Sequence, residues 1–154
     1  PIAIRYPRGT GTIIDWQKPF EEIEIGKGIC LKEGKKIAIL SIGTVAKNSE
    51  EAILLSEKKD TFSHFDMRFV KPLDVQLLHQ IFKKHQTIIT IEDGTVKGGF
   101  GAAILEFAAE NNYTNKIKNL GIPDEFIAHG SNVELYNKVG LDAITLKNTF
   151  ENIT

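Results

Sequence analysis

Apolar positions along this chain recur with two periods, and their alternation predicts an order of elements. Ile2, Ile4 and Tyr6 alternate with Ala3 and Arg5, the period of a half-buried strand. Arg8-Gly9-Thr10-Gly11-Thr12, followed by Asp15 and Lys18-Pro19, has no period and reads as loop or linker, so a domain begins near residue 20. Residues 22–31 predict a strand through Ile23, Ile25, Ile29 and Leu31, loosened by Gly26 and Gly28. Lys32-Glu33-Gly34-Lys35 is then a tight turn into residues 36–43, and so implies an antiparallel hairpin. Between Lys36 and Gly43 that second run is apolar but for Ser41, as in strands covered on both faces of a parallel sheet.

Further on the period changes to that of helices. Residues 45–58 predict a helix with Ala52 and Ile53 inward and Glu50, Glu51, Glu57 and Lys58 outward. A strand over 62–69 leads to Pro72 at a helix start with Asp74 in the first turn, and Leu77, Leu78, Ile81 and Phe82 form that helix's stripe. Residues 87–91 are a strand. Residues 99–112 carry the clearest helix, since Phe100, Ala103, Ile104, Phe107 and Ala108 fall at i, i+3, i+4, i+7 and i+8. A last strand over 116–121 and short helices near 131–139 and 142–152 complete the order. Strands and helices in this sequence predict an α/β fold. Its architecture is a three-layer α/β/α sandwich on a five-stranded, mostly parallel sheet with the first strand antiparallel.

Composition narrows the function classes. A chain of 154 residues is one ordinary domain, or one domain with a tail. Nineteen basic against 20 acidic residues leave a net charge of −1, which offers nothing to nucleic acid or an anionic membrane, and Lys58-Lys59 and Lys83-Lys84 read as solvated helix ends. The single cysteine excludes an internal disulfide and a multi-cysteine zinc site, and Cys30 is expected to be an inert core thiol. No apolar run reaches a membrane span and no signal-peptide pattern opens the chain, so a soluble cytoplasmic protein is expected. The start on Pro1, already inside a β-rich run, predicts a natural start further upstream.

Two segments have the composition of an anion site. Pro7 ends the first strand, which makes Arg8 the first long side chain past a strand's carboxyl end, where open α/β sheets bind ligands. Its planar donors suit carboxylate or phosphate, with Gly9 and Gly11 letting backbone N–H groups approach; the alternative is an arginine bridging two loops. Glu92-Asp93-Gly94 and Gly98-Gly99-Phe100-Gly101 lie between a strand and a helix, and such a loop either binds an anion at the helix N-terminus or lets a helix pack closely. Ile104 stands where a dinucleotide fingerprint needs its last small residue. Glu92 and Asp93 are an acid/base pair or caps. His64, His79, His85 and His129 do not share ligand spacing, and neither Ser41 nor Ser131 sits in a nucleophile elbow.

Four segments together resemble one family. Ile4-Arg5-Tyr6-Pro7-Arg8-Gly9, Asp66 to Asp74 (D-M-R-F-V-K-P-L-D), Thr90-Ile91-Glu92-Asp93 with Gly98 to Gly101, and Gly121 to Gly130 (G-I-P-D-E-F-I-A-H-G) are similar to the C-terminal part of 1-deoxy-D-xylulose 5-phosphate synthases. The second and third are also similar to transketolases and to the β chains of 2-oxoacid dehydrogenases. The resemblance implies that residues 1–20 end a pyrimidine-binding domain and its linker, and that 21–154 form a transketolase C-terminal-like domain with a five-stranded mixed sheet. It implies an enzyme using thiamine diphosphate and Mg²⁺ to join pyruvate to glyceraldehyde 3-phosphate in isoprenoid precursor synthesis, working as a homodimer. Arg8 falls on the acceptor-phosphate arginine, while Arg5 is a weaker candidate. The G-D-G…N signature for metal and diphosphate is absent, so no cofactor is expected on this stretch and no activity from it alone. Two other readings stay open: a stand-alone anion- or nucleotide-binding module, and a partner-docking domain like those of the dehydrogenase β chains.

Overall fold

The computed structural model describes residues 21–153, together with Ala3 and Pro19. The expected first strand, the linker, Arg5 and Arg8 lie outside the described residues. The strands are β1 (Ile29–Lys32), β2 (Ile37–Ile42), β3 (Phe62–Asp66), β4 (Thr87–Thr95) and β5 (Lys116–Ile122). The helices are α1 (Ala46–Leu55), α2 (Val75–Lys84), α3 (Phe100–Glu110), α4 (Asn132–Val139) and α5 (Ala143–Ile153). The sheet runs β1-β3-β2-β4-β5, with β1 antiparallel to β3 and every other pairing parallel. The expected α/β sandwich is therefore the observed one.

The two faces of β2 explain the layering. Ala38 and Leu40 point to one side, where Leu78, Ile81 and Phe82 of α2 and Phe100, Ile104 and Phe107 of α3 close over them. Ile37 and Ile39 point to the other, against Ala52 and Ile53 of α1 and Leu146 and Phe150 of α5. The rings of Phe62 and Phe150 sit 5.7 Å apart and tie α5 to the sheet. Burying each large apolar side chain contributes about 1.5–3 kcal/mol, so β2, with both faces covered, anchors the fold. No helix among the described residues is long and apolar enough to cross a membrane.

Four expectations need correction. The strand over 22–31 is confined to Ile29–Lys32, because Gly26 at φ 76 turns the chain and Lys27 N–H donates to Glu24 O; Ile23 and Ile25 are 57% and 74% exposed. The turn at 32–35 makes no hairpin, since β3 lies between β1 and β2. Gly34 instead crosses the start of β3: its N–H donates to Ser63 Oγ at 2.8 Å, and the Lys35 and Lys36 N–H groups donate to Thr61 O. Pro72 does not open α2. Asp74 caps it, taking the Leu77 N–H at 3.0 Å, and its other carboxylate oxygen takes the Gly28 N–H at 3.2 Å, which joins β1's approach to α2. Cys30 is exposed on edge strand β1 rather than packed in the core, with Sγ 3.5 Å from Glu33 Oε1; partial burial and that contact push its thiol pKa up.

Candidate functional site

The carboxyl ends of β2, β4 and β5 meet the N-terminus of α3 and one flank of α4. β4 runs further than its apolar core implies, through Glu92, Asp93 and Gly94 to Thr95, which pairs with Ile122 beyond an irregularity after Ile91. Glu92 is buried and aimed at α3: Oε2 accepts the Phe100 N–H at 2.8 Å and Oε1 the Gly101 N–H at 2.9 Å. Gly99, the N-cap, offers no side chain of its own. Two free N–H groups and the helix dipole are thereby matched by a carboxylate from the chain itself.

The glycines around this cap are required by close approach. A Cβ on Gly99 would stand 2.1 Å from Glu92 Oε2, and one on Gly101 2.6 Å from Asn119 Cγ and 2.7 Å from Thr90 Oγ1. Thr90 and Asn119 hydrogen-bond each other at 2.9 Å directly beneath α3. The close-packing reading of Gly98 to Gly101 thus accounts for Gly99 and Gly101. An external phosphate at this helix end would meet the Glu92 carboxylate, which is the physical objection to a nucleotide site here.

Asp93, the next residue, faces α4. Its Oδ2 accepts from Tyr136 Oη at 2.9 Å and from Thr44 Oγ1 at 3.3 Å. Burial and the neighbouring carboxylate push the Tyr136 phenol pKa up. α4 is held in place for this contact by a capping box, in which Ser131 and Glu134 bond each other's backbone N–H, and by Gly140 at φ 74 past its last turn. His129, exposed before Gly130, borders a cavity with Asp93 and Tyr136. Sequence reading left the roles of Glu92 and His129 undecided and gave Tyr136 none.

The other histidines are dispersed. His64 of β3 is 1% exposed with Nε2 2.8 Å from Ser41 Oγ, and burial lowers its pKa to about 4. His85, past α2, has Nδ1 2.9 Å from Ile81 O and Nε2 2.8 Å from Ser63 Oγ, and burial lowers its pKa as well. His79 bonds Tyr113 Oη at 2.8 Å. Among the described residues no group of three or more His, Cys, Asp and Glu side chains could hold a metal ion. The buried histidines are structural, and they have a consequence for pH. Their folded pKa values lie below the ordinary 6.5, so below that pH the unfolded chain binds more protons and stability falls. Urea midpoints are therefore expected to drop between pH 7 and 5, above the range where the carboxylates titrate, and His64→Gln is expected to flatten that drop. Equal slopes for both proteins would mean that His64 does not contribute it.

Arg68, in the D-M-R-F-V-K-P-L-D segment, stands just past β3 at φ 55 and is exposed, its N–H bonded to Asp66 Oδ1 at 3.0 Å. Met67 and Asp74 of that segment are buried, so the motif serves first to join β3 to α2.

Known proteins share both this sequence and this fold. The chain is 50% identical over 144 residues to the 1-deoxy-D-xylulose-5-phosphate synthase of Phocaeicola vulgatus, which covers 92% of this chain and 23% of that protein. It is 49% identical over 155 residues to the enzyme of the same name from Cytophaga hutchinsonii, covering 100% of this chain and 24% of that one. It therefore spans about a quarter of the length of these curated relatives. Among solved structures, a split-gene transketolase described as an inactive β4 tetramer superposes with a TM-score of 0.75 at 29% identity, over 88% of this chain and 43% of that one. The sequence model of the family "Transketolase, C-terminal domain" matches residues 26–145, which hold the five strands of the described residues and the glycine-flanked cap at Glu92, and the chain belongs to that family.

Proposed function

We propose that this chain is the C-terminal part of a thiamine-diphosphate-dependent transferase that condenses pyruvate with glyceraldehyde 3-phosphate to 1-deoxy-D-xylulose 5-phosphate, the first reaction toward isoprenoid precursors. The observation that carries the reading is near-50% identity to synthases of that name along almost the whole chain. In it, residues 1–20 end a pyrimidine-binding domain and its linker, residues 21–154 are the C-terminal domain, and a second copy of the chain completes a cytoplasmic homodimer.

The role assigned to this stretch is acceptor recognition and assembly. Arg8 takes the phosphate of glyceraldehyde 3-phosphate, where a guanidinium pairs two donors with a dianionic ester, and Arg5 is a weaker second contact. The described residues do not fit thiamine diphosphate or Mg²⁺. The diphosphate signature is missing from the sequence, and the helix N-terminus best suited to phosphate carries the Glu92 carboxylate. The cofactor and its metal, which supply the carbanion chemistry for decarboxylation and carbon transfer, are assigned to upstream domains, and the isolated chain is inactive in this reading.

The test is steady-state kinetics on the full-length enzyme. Arg8→Ala is expected to raise KM for the acceptor aldehyde with little change for pyruvate, at a loss of about 1.5–3 kcal/mol in kcat/KM for the acceptor. Equal effects on both substrates would remove Arg8 from the phosphate site.

A further inference from the structure

Between the end of β5, the loop that follows it and α4 lies a cavity of about 190 Å³. Ile122, Ile127, Leu135 and Val139 supply apolar wall, and Asp93, His129, Asn132 and Tyr136 supply the polar groups. An apolar cavity with a few convergent polar groups, at the carboxyl edge of a parallel sheet, has the composition of a small-molecule site.

Its polar end specifies the ligand's charge. Both hydrogen bonds to Asp93 arrive at Oδ2, from Tyr136 and Thr44, which leaves Oδ1 to a donor from the cavity. Asp93 forms no salt bridge with a described residue, whereas the neighbouring Asp124 is paired with Lys97 at 3.0 Å and Glu134 is engaged by Ser131. A half-buried carboxylate whose geometry is held by two hydroxyls, and which forms no ion pair among the described residues, is complementary to an ammonium group.

We infer that this cavity binds a small organic cation, a compact apolar body carrying a primary ammonium that pairs with Asp93 while the body packs on Ile122, Ile127, Leu135 and Val139. The inference does not rest on the proposed role of Arg8.

The test is a methyl NMR titration of the full-length protein with three probes of one shape and different charge: phenethylammonium, 2-phenylethanol and 3-phenylpropionate. Phenethylammonium is expected to shift the Ile122, Leu135 and Val139 methyls and to bind tightest of the three. Asp93→Asn is expected to weaken it about tenfold while leaving 2-phenylethanol unchanged, since one charge-assisted contact is lost. Ala128→Phe, on the exposed rim, is expected to block every probe and tests the site even if Asp93→Asn does not fold. Equal affinity for all three probes, no effect of Asp93→Asn on phenethylammonium, or the absence of shifts at these methyls would overturn the inference.

Discussion

Glu92→Ala is expected to lower the unfolding free energy by about 2–4 kcal/mol, the combined loss of two charge-assisted hydrogen bonds and the exposure of two helix N–H groups with no replacement acceptor. The carboxylate is buried, spans from β4 to the first turn of α3, and lies against the backbone of Gly99. Water has little room to substitute. Glu92→Gln keeps an acceptor oxygen for one N–H but turns a donor toward the other, and about half the loss is expected. Urea denaturation of both variants measures the difference, with hydrogen exchange at Phe100 and Gly101 reporting whether the first turn of α3 frays. If Glu92→Ala matched the parent protein, the carboxylate would not be holding the helix, and the objection to an anion at this position would fall with it.

Gly34→Ala is expected to cost about 3 kcal/mol, at the upper end of overpacking substitutions, because the new Cβ would meet only backbone. It would stand 2.2 Å from Phe62 C, 2.3 Å from Phe62 O and 2.6 Å from Ser63 N, atoms fixed by the pairing of β3 with β2. The sheet cannot yield there, so the crossing segment must lift and carry β1 away from β3. Faster hydrogen exchange along β1 with an intact β2-β4-β5 core is the expected signature. Gly98→Ala is the contrasting case: Gly98 sits at φ 71 with nothing within 4 Å of a Cβ, so only the left-handed backbone conformation is penalised, by roughly 1–2 kcal/mol. Equal costs at the two positions would count against the crossing geometry.

Legibility in the sequence followed the physics of each element. β2 and α3 were readable because their signals are periodic and local: a run apolar at every position but Ser41, and a stripe at helical spacing. The fate of the 32–35 turn was not, because a short polar turn between two apolar runs has the same composition whether its strands pair or a third enters between them. What decided it is a contact of Gly34 with β3, far along the chain. Cys30 was misplaced for a related reason, since its strand is an edge whose outer side carries no neighbour among the described residues. At the candidate site, Glu92 was recognisable as a polar residue past an apolar strand, with a cap the favoured role and an acid/base role the alternative; seven residues of intervening chain separate it from the first N–H it caps. Tyr136 carried no signal, because its partner Asp93 is brought to it only by α4 folding back over the end of β4.

By itself, then, the order of hydrophobic periods determined the layers and the parallel core of the sheet, because burial depends on which side chains face inward and that is written locally; the family resemblance was carried by four motif segments and not by any period. The strand neighbours of β1, the carboxylate that closes α3, and the pairing of Asp93 with Tyr136 beside an apolar cavity were decided only in three dimensions. Each depends on distances between segments remote in the chain, and no local pattern encodes a distance of that kind.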